Sequence, residues 1–167
     1  YADAHNNIGN VLKEQNRLEE AIEYFREALS LKPDFAEAYK NIGWALKEAK
    51  FNQPNPELQK TIVSLLDQRS SVRPIDIAPA VIKLLKLDPN LQKQLKKPSE
   101  DKTWQTLHQK ILELSDLPLL LKLMSVCSIP DLNLENLLKE VRAEILLAIP
   151  NLEDKLDILQ FQTALAL

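Results

Sequence analysis

Glycine is almost missing from this chain: its 167 residues include two, Gly9 and Gly43. Loops that cradle phosphates or dinucleotides need clustered glycines, so that backbone N–H groups can approach the ligand. Neither glycine has a glycine neighbour. No such loop lies within these residues, and no cofactor is expected. Cysteine is scarcer still. The lone thiol, Cys127, excludes an intrachain disulfide and any multi-cysteine zinc site, and it fits a reducing cytosol, so a cytoplasmic location is expected. An excess of charge of one sign is also lacking. The 21 basic and 24 acidic residues leave a formal net charge of −3, without the basic face that nucleic acid requires.

Long hydrophobic runs are absent too. The longest, Leu117–Ile129, is broken by Pro118, Lys122 and two serines and falls short of the roughly 20 apolar residues that cross a bilayer. It reads as a buried helix, and no membrane partner is expected. The two histidines, His5 and His108, stand far apart, and no histidine–carboxylate spacing matches a metal site. Cys127 lies in the most apolar stretch and reads as a small core residue. No catalytic constellation emerges, so the chain is expected not to be an enzyme by itself.

Apolar residues make up 45% of the chain, enough to build a core, and they fall at helical spacing throughout. Sliding the sequence by 34 residues lays "YADAHNNIGNVLKE" (1–14) over "FAEAYKNIGWALKE" (35–48). Ala2, Ala4, Asn7, Ile8, Gly9, Leu12, Lys13 and Glu14 recur as Ala36, Ala38, Asn41, Ile42, Gly43, Leu46, Lys47 and Glu48. Between them Leu18, Ala21, Ile22, Phe25, Ala28 and Leu29 predict a second helix that Pro33 stops. Asn16 takes the turn between the helices, a position asparagine tolerates.

The second copy then breaks off. Pro54 and Pro56 arrive where its second helix should run, and an interior proline costs roughly 3 kcal/mol in a helix. The first helix of that copy must therefore end before Gln53. Asn55 is placed to cap a new helix with Pro56 at its first position, where the missing N–H costs nothing. Further helices are predicted at about 57–68, 76–87, 89–96, 100–115 and 117–128, then one between "IPDL" and "IPNL" and one to Leu167. Ser99 is expected to cap the 100–115 helix, with Trp104 inward. The fold class is all-α, divided into a repeat array at 1–53 and a helical capping and connecting domain at 54–167.

The repeat resembles the tetratricopeptide repeat family, 34-residue helix–turn–helix units. The family's aromatic-x-x-Leu-Gly-x-x-Tyr signature appears as His5, Ile8, Gly9, Leu12 and again as Tyr39, Ile42, Gly43, Leu46, with Ala21, Phe25, Ala28 and Pro33 at second-helix positions. The resemblance implies a non-catalytic protein-binding module whose first helices line a groove. That face would carry Asn7, Asn10, Lys13, Lys40, Asn41, Trp44 and Lys47, and a protein or peptide segment is the expected partner. Asn7 and Asn41 sit where some family members use asparagines to grip a peptide backbone, an amide being both donor and acceptor. Replacing both with alanine is expected to weaken binding without unfolding the array. Trp44 is expected to be covered by the tail, which would close the array. The open repeat end also offers a surface on which a second copy could stack.

The tail resembles something as well. "NPELQKTIVSLLDQ", "RPIDIAPAVIKLLKLDPNLQKQL", "LLLKLMSVCSIPDLNLENLLKEVRAEIL" and "LQFQTALAL" are similar to a helical region of bacterial proteins. There it lies between a repeat array and a methyltransferase domain that uses S-adenosylmethionine. This implies that the chain is the recruiting and connecting part of a larger methyltransferase whose catalytic domain lies outside these residues. An opening residue other than methionine and a last helix still periodic at its end fit that expectation.

Overall fold

The computed structural model describes residues 1–68, 72–96 and 103–148, the side chains of Trp104 and Ala148 excepted. Among the described residues there are nine α-helices and no strand, so the fold is all-α as expected. The chain divides into two compact units, Tyr1–Leu84 and Leu85–Leu167.

The first unit starts with α1 (Ala2–Glu14), α2 (Leu18–Leu31) and α3 (Ala36–Leu46), each packed on the others. Asn16 adopts φ 59°, in the left-handed region that asparagine enters more readily than most residues. That geometry closes α1 with a Schellman pattern: Asn16 N–H donates to the Lys13 carbonyl at 3.0 Å and Arg17 N–H to the Leu12 carbonyl at 2.9 Å. The hairpin core is built around Phe25, which is fully buried. Its ring fills the notch at Gly9, where an added Cβ would lie 2.5 Å from Phe25 Cε1. At the far end of α2, Lys32 leaves the helical region (ψ 88°) because Pro33 follows it.

The helix α4 (Pro56–Asp67) begins as the sequence predicts: Asn55 Oδ1 accepts from Leu58 N–H at 2.9 Å, and Pro56 is the first helical residue. Its stripe of Leu58, Ile62, Leu65 and Leu66 is buried. Polar bonds tie this helix to α2. Asn55 Nδ2 donates to Glu23 Oε1 at 3.1 Å and Arg26 Nε to Thr61 Oγ1 at 3.3 Å. The next helix, α5 (Pro74–Leu85), is tied to the residue after α3 through Lys47 Nζ and Asp76 Oδ2, 3.2 Å apart. Val72, just before α5, presses on Gly43, where an added Cβ would meet its Cγ2 at 2.0 Å. The first unit extends to Leu84, with α4 and the start of α5 attached to the repeat helices through these contacts. Pro79 sits inside α5 on its exposed side, where water can reach the carbonyl left without an N–H partner.

In the second unit, α7 (Trp104–Ser115) packs with α6 (Pro89–Lys96), α8 (Pro118–Val126) and α9 (Leu132–Ala148). Leu91, Ile111, Leu114, Leu120, Leu123, Leu134, Val141 and Ile145 form its core. The cap of α7 is Thr103, whose Oγ1 accepts from Thr106 N–H. Ser99, the cap expected from sequence, lies outside the described residues, as does the expected final helix. Lys110 is 5% exposed, with Glu144 Oε2 3.6 Å from its ammonium. A buried lysine of this kind carries no sequence signal of its own.

Asp131 opens α9 by accepting from Leu134 N–H at 3.0 Å, and it also receives Lys86 Nζ. Burial pushes its carboxyl up, but the bonds from Lys86 and from backbone N–H groups outweigh this and hold it below the ordinary carboxylate range. A carboxyl lowered in the folded state gives its full stabilisation above its unfolded pKa, near 4, and loses it as pH falls through that region and below. Asp131→Ala is therefore expected to cost about 1–2 kcal/mol at neutral pH. Asp131→Asn should show a shallower loss of stability than the parent between about pH 5 and pH 2. Parallel curves for parent and Asn variant in urea titrations across that window would contradict the assignment.

Candidate functional site

Four of the seven residues assigned to the groove meet where α1 and α3 lie side by side. Lys13 Nζ is the hub. It donates to Asn10 Oδ1 at 3.1 Å and to Asn41 Oδ1 at 3.2 Å, and it stands 5.3 Å from the Trp44 ring centroid. An ammonium at that distance from an indole face is held by the ring's quadrupole. Asn41 is buried and passes the network inward, its Nδ2 donating to Asn6 Oδ1 at 3.1 Å. Asn6, 1% exposed, donates in turn to Glu37 Oε1 at 3.2 Å.

The other three assigned residues stand apart from this hub. Asn7 and Lys40 are exposed. Lys47 is paired with Asp76, its ammonium 3.2 Å from Oδ2. Together with Arg73, Lys47 holds the Asp76 carboxyl below its ordinary range, the bond from Arg73 being the larger cause.

Asn7 and Asn41 are equivalent by the 34-residue shift but live in different surroundings. The flank of α3 that bears Asn41 packs against α1, whereas the same flank of α1 is open. Asn41 has its amide oxygen and nitrogen both engaged within the protein, so it serves as the support that positions Lys13. Asn6 and Glu37 complete this support, and sequence reasoning gave neither a role in it. The available signal was the spacing, since Asn6 and Asn41 stand 35 residues apart, one repeat plus one residue.

Trp44 remains 47% exposed, which corrects the expectation that the tail covers it. The residue pressed upon is its neighbour Gly43, by Val72. Trp44 follows it in sequence and carries the Lys13 ammonium over its ring.

Residues 2–35 match the family model of the tetratricopeptide repeat. The match spans 34 of the 167 residues. Such a repeat supports a role as a protein–protein interaction module. No curated protein and no solved structure matches the chain. The match ends at residue 35, so it lends nothing to the tail's resemblance to methyltransferase-associated regions.

Within the tetratricopeptide unit, His5 holds the place of the large aromatic that its equivalent Tyr39 supplies in α3. His5 Nδ1 lies 2.7 Å from Glu27 Oε2, and its ring is 6.1 Å from that of Tyr24. Tyr39 is buried, which pushes its phenol up. Both act as packing groups.

Elsewhere the chemistry is sparse. Among the described residues no group of three or more His, Cys, Asp or Glu is arranged to hold a metal ion. No helix among them is long and apolar enough to cross a membrane. Cys127 follows the last residue of α8 and is half-buried, not enclosed as expected, because the chain has turned extended there and borders a cleft of about 460 Å³. Burial pushes its thiol up, away from the thiolate that nucleophilic chemistry needs.

Proposed function

We propose that the face shared by α1 and α3 binds an extended segment of a partner protein. The observation that carries this reading is Trp44, left half exposed beside an ammonium that is itself fixed by two asparagines. A rigid aromatic on an ordered polar surface is the usual anchor of a protein contact. Asn10 uses its amide oxygen on Lys13 and keeps its Nδ2 for a peptide carbonyl. Asn7 and Lys40 extend the polar rim on either side. Asn41 contributes indirectly, through Lys13.

Panning a random peptide library against the intact chain should return ligands that lose about tenfold or more in affinity with Trp44→Ala. Asn10→Ala and Lys40→Glu should give smaller losses. Trp44 is a surface residue, so the variant should keep its helical circular dichroism. Ligands insensitive to all three changes would remove this face from the function. In a second reading the same face recruits the substrate of an attached methyltransferase domain. Its distinguishing result would be S-adenosylmethionine binding by the whole protein.

A further inference from the structure

In the second unit, α8 and α9 both pack on α7 but meet each other little. The cleft of about 460 Å³ that Cys127 borders is lined by the end of α8, the loop after it and α9. The loop holds the two helices apart. Cys127 leaves α8 in extended backbone (φ −157°, ψ 163°), Ile129 is pushed from the helical region because Pro130 follows it, and Asp131 then caps α9. Met124, Val126 and Ile129 are half-buried along the cleft, and Leu138 of α9 is buried beside them. Glu135, Leu138, Lys139 and Arg142 form a stripe of α9 at helical spacing. Glu135 Oε1 stands 2.6 Å from Lys139 Nζ, so this pair cancels its own charge. Arg142 is exposed and, among the described residues, makes no ion pair or hydrogen bond. The lining is therefore apolar with one unspent guanidinium.

We propose that this cleft binds a small aliphatic carboxylate, with its tail against Met124, Val126, Ile129 and Leu138 and its carboxylate on Arg142. The charge decides the head group: a single uncompensated cation calls for one negative charge, and the planar fork of arginine matches a carboxylate with two parallel hydrogen bonds. The size decides the class. From Glu135 to Arg142 the wall of α9 runs on the order of 10 Å at 1.5 Å per residue, the length of a chain of about eight carbons and too short to seat a partner helix. The cleft's 460 Å³ also falls within the range of about 300–1,000 Å³ of small-molecule sites. All of these residues lie in the second unit, so the site stands or falls independently of the Trp44 face.

Cys127 supplies the readout, because it is the chain's only cysteine and borders the cleft. Its alkylation by N-ethylmaleimide is followed in the full chain with octanoate as the probe, octanol and octylammonium as controls of equal length, and glutathione as the reference thiol. Octanoate is expected to slow alkylation of Cys127 to a saturating limit while leaving glutathione unaffected. Octanol should need about fivefold or more higher concentration for the same protection, and octylammonium should give none. Arg142→Gln should raise the half-protecting concentration of octanoate by about fivefold or more and leave that of octanol, and the rate without ligand, unchanged. Arg142 is exposed and unpaired, so this variant should keep the parent's melting temperature. No protection by octanoate, equal protection by octanol, or protection undiminished in Arg142→Gln would overturn the proposal. So would alkylation that slows as the protein itself is concentrated, which would make a second copy the occupant.

Discussion

Phe25→Ala is expected to destabilise the first unit by about 3–5 kcal/mol, the range for emptying a buried aromatic site. The ring is wholly buried, and the helix against it cannot relax inward without disturbing the α1–α3 network. The notch that receives the ring exists only because residue 9 lacks a Cβ. An alanine there would place Cβ 2.5 Å from Phe25 Cε1 and 2.7 Å from Cδ1, inside any tolerable contact. Gly9→Ala therefore sets an overpacking cost of about 1–3 kcal/mol against a gain of about 1 kcal/mol in helix propensity.

The two substitutions should be strongly coupled. With Phe25 already replaced by alanine, the added methyl at position 9 enters vacated space and the propensity gain is left alone, so Gly9→Ala should turn from harmful to neutral or favourable. A double-mutant cycle in urea, followed by native-state exchange of the α1–α3 amides, reads this directly. Additive effects would mean that ring and notch do not act as one contact.

The helices were legible where a local rule decides them. Asn55 and Pro56 set the start of α4, Pro33 the end of α2, and Asn16 the left-handed turn, because each choice depends only on neighbours along the chain. The Phe25–Gly9 contact was legible only as far as both residues fall at positions of the family pattern, since Gly9 recurs as Gly43 but Gln59 stands one repeat after Phe25.

What the repeat could not convey was the difference between its two copies. Equivalent positions are equivalent only if both helices have the same neighbours, and α1 lacks what α3 has on one flank. That asymmetry leaves Ile8 exposed while Ile42 is buried, and Asn7 exposed while Asn41 is enclosed. The extent of the first unit was hidden for a related reason. The packing of α4 and α5 on the repeat helices depends on partners such as Arg26 and Thr61, or Lys47 and Asp76, which no local pattern links. Lys110 and Glu144 stand 3.6 Å apart across α7 and α9 on the same terms.

Asn41→Ala is expected to destabilise the first unit by about 2–3 kcal/mol, whereas Asn7→Ala should stay within about 0.5 kcal/mol of the parent. The truncation at position 41 removes the donor that satisfies buried Asn6 Oδ1 and one of the two amide oxygens that hold Lys13. A buried polar atom left without its partner carries its whole desolvation cost. Asn41→Ala therefore loosens the fold, in place of the sequence expectation of weaker binding with stability intact. Because Lys13 also loses its position over Trp44, the same variant should weaken peptide binding, but only alongside a lowered unfolding midpoint. Asn6→Ala paired with Asn41→Ala supplies the check. Removing both members leaves neither amide stranded, so the double variant should cost less than the sum of the singles. Denaturation of the four variants beside the parent would settle it: equal losses for Asn7→Ala and Asn41→Ala, or strict additivity for Asn6 and Asn41, would mean that the enclosed amides are not the support that orders the binding face.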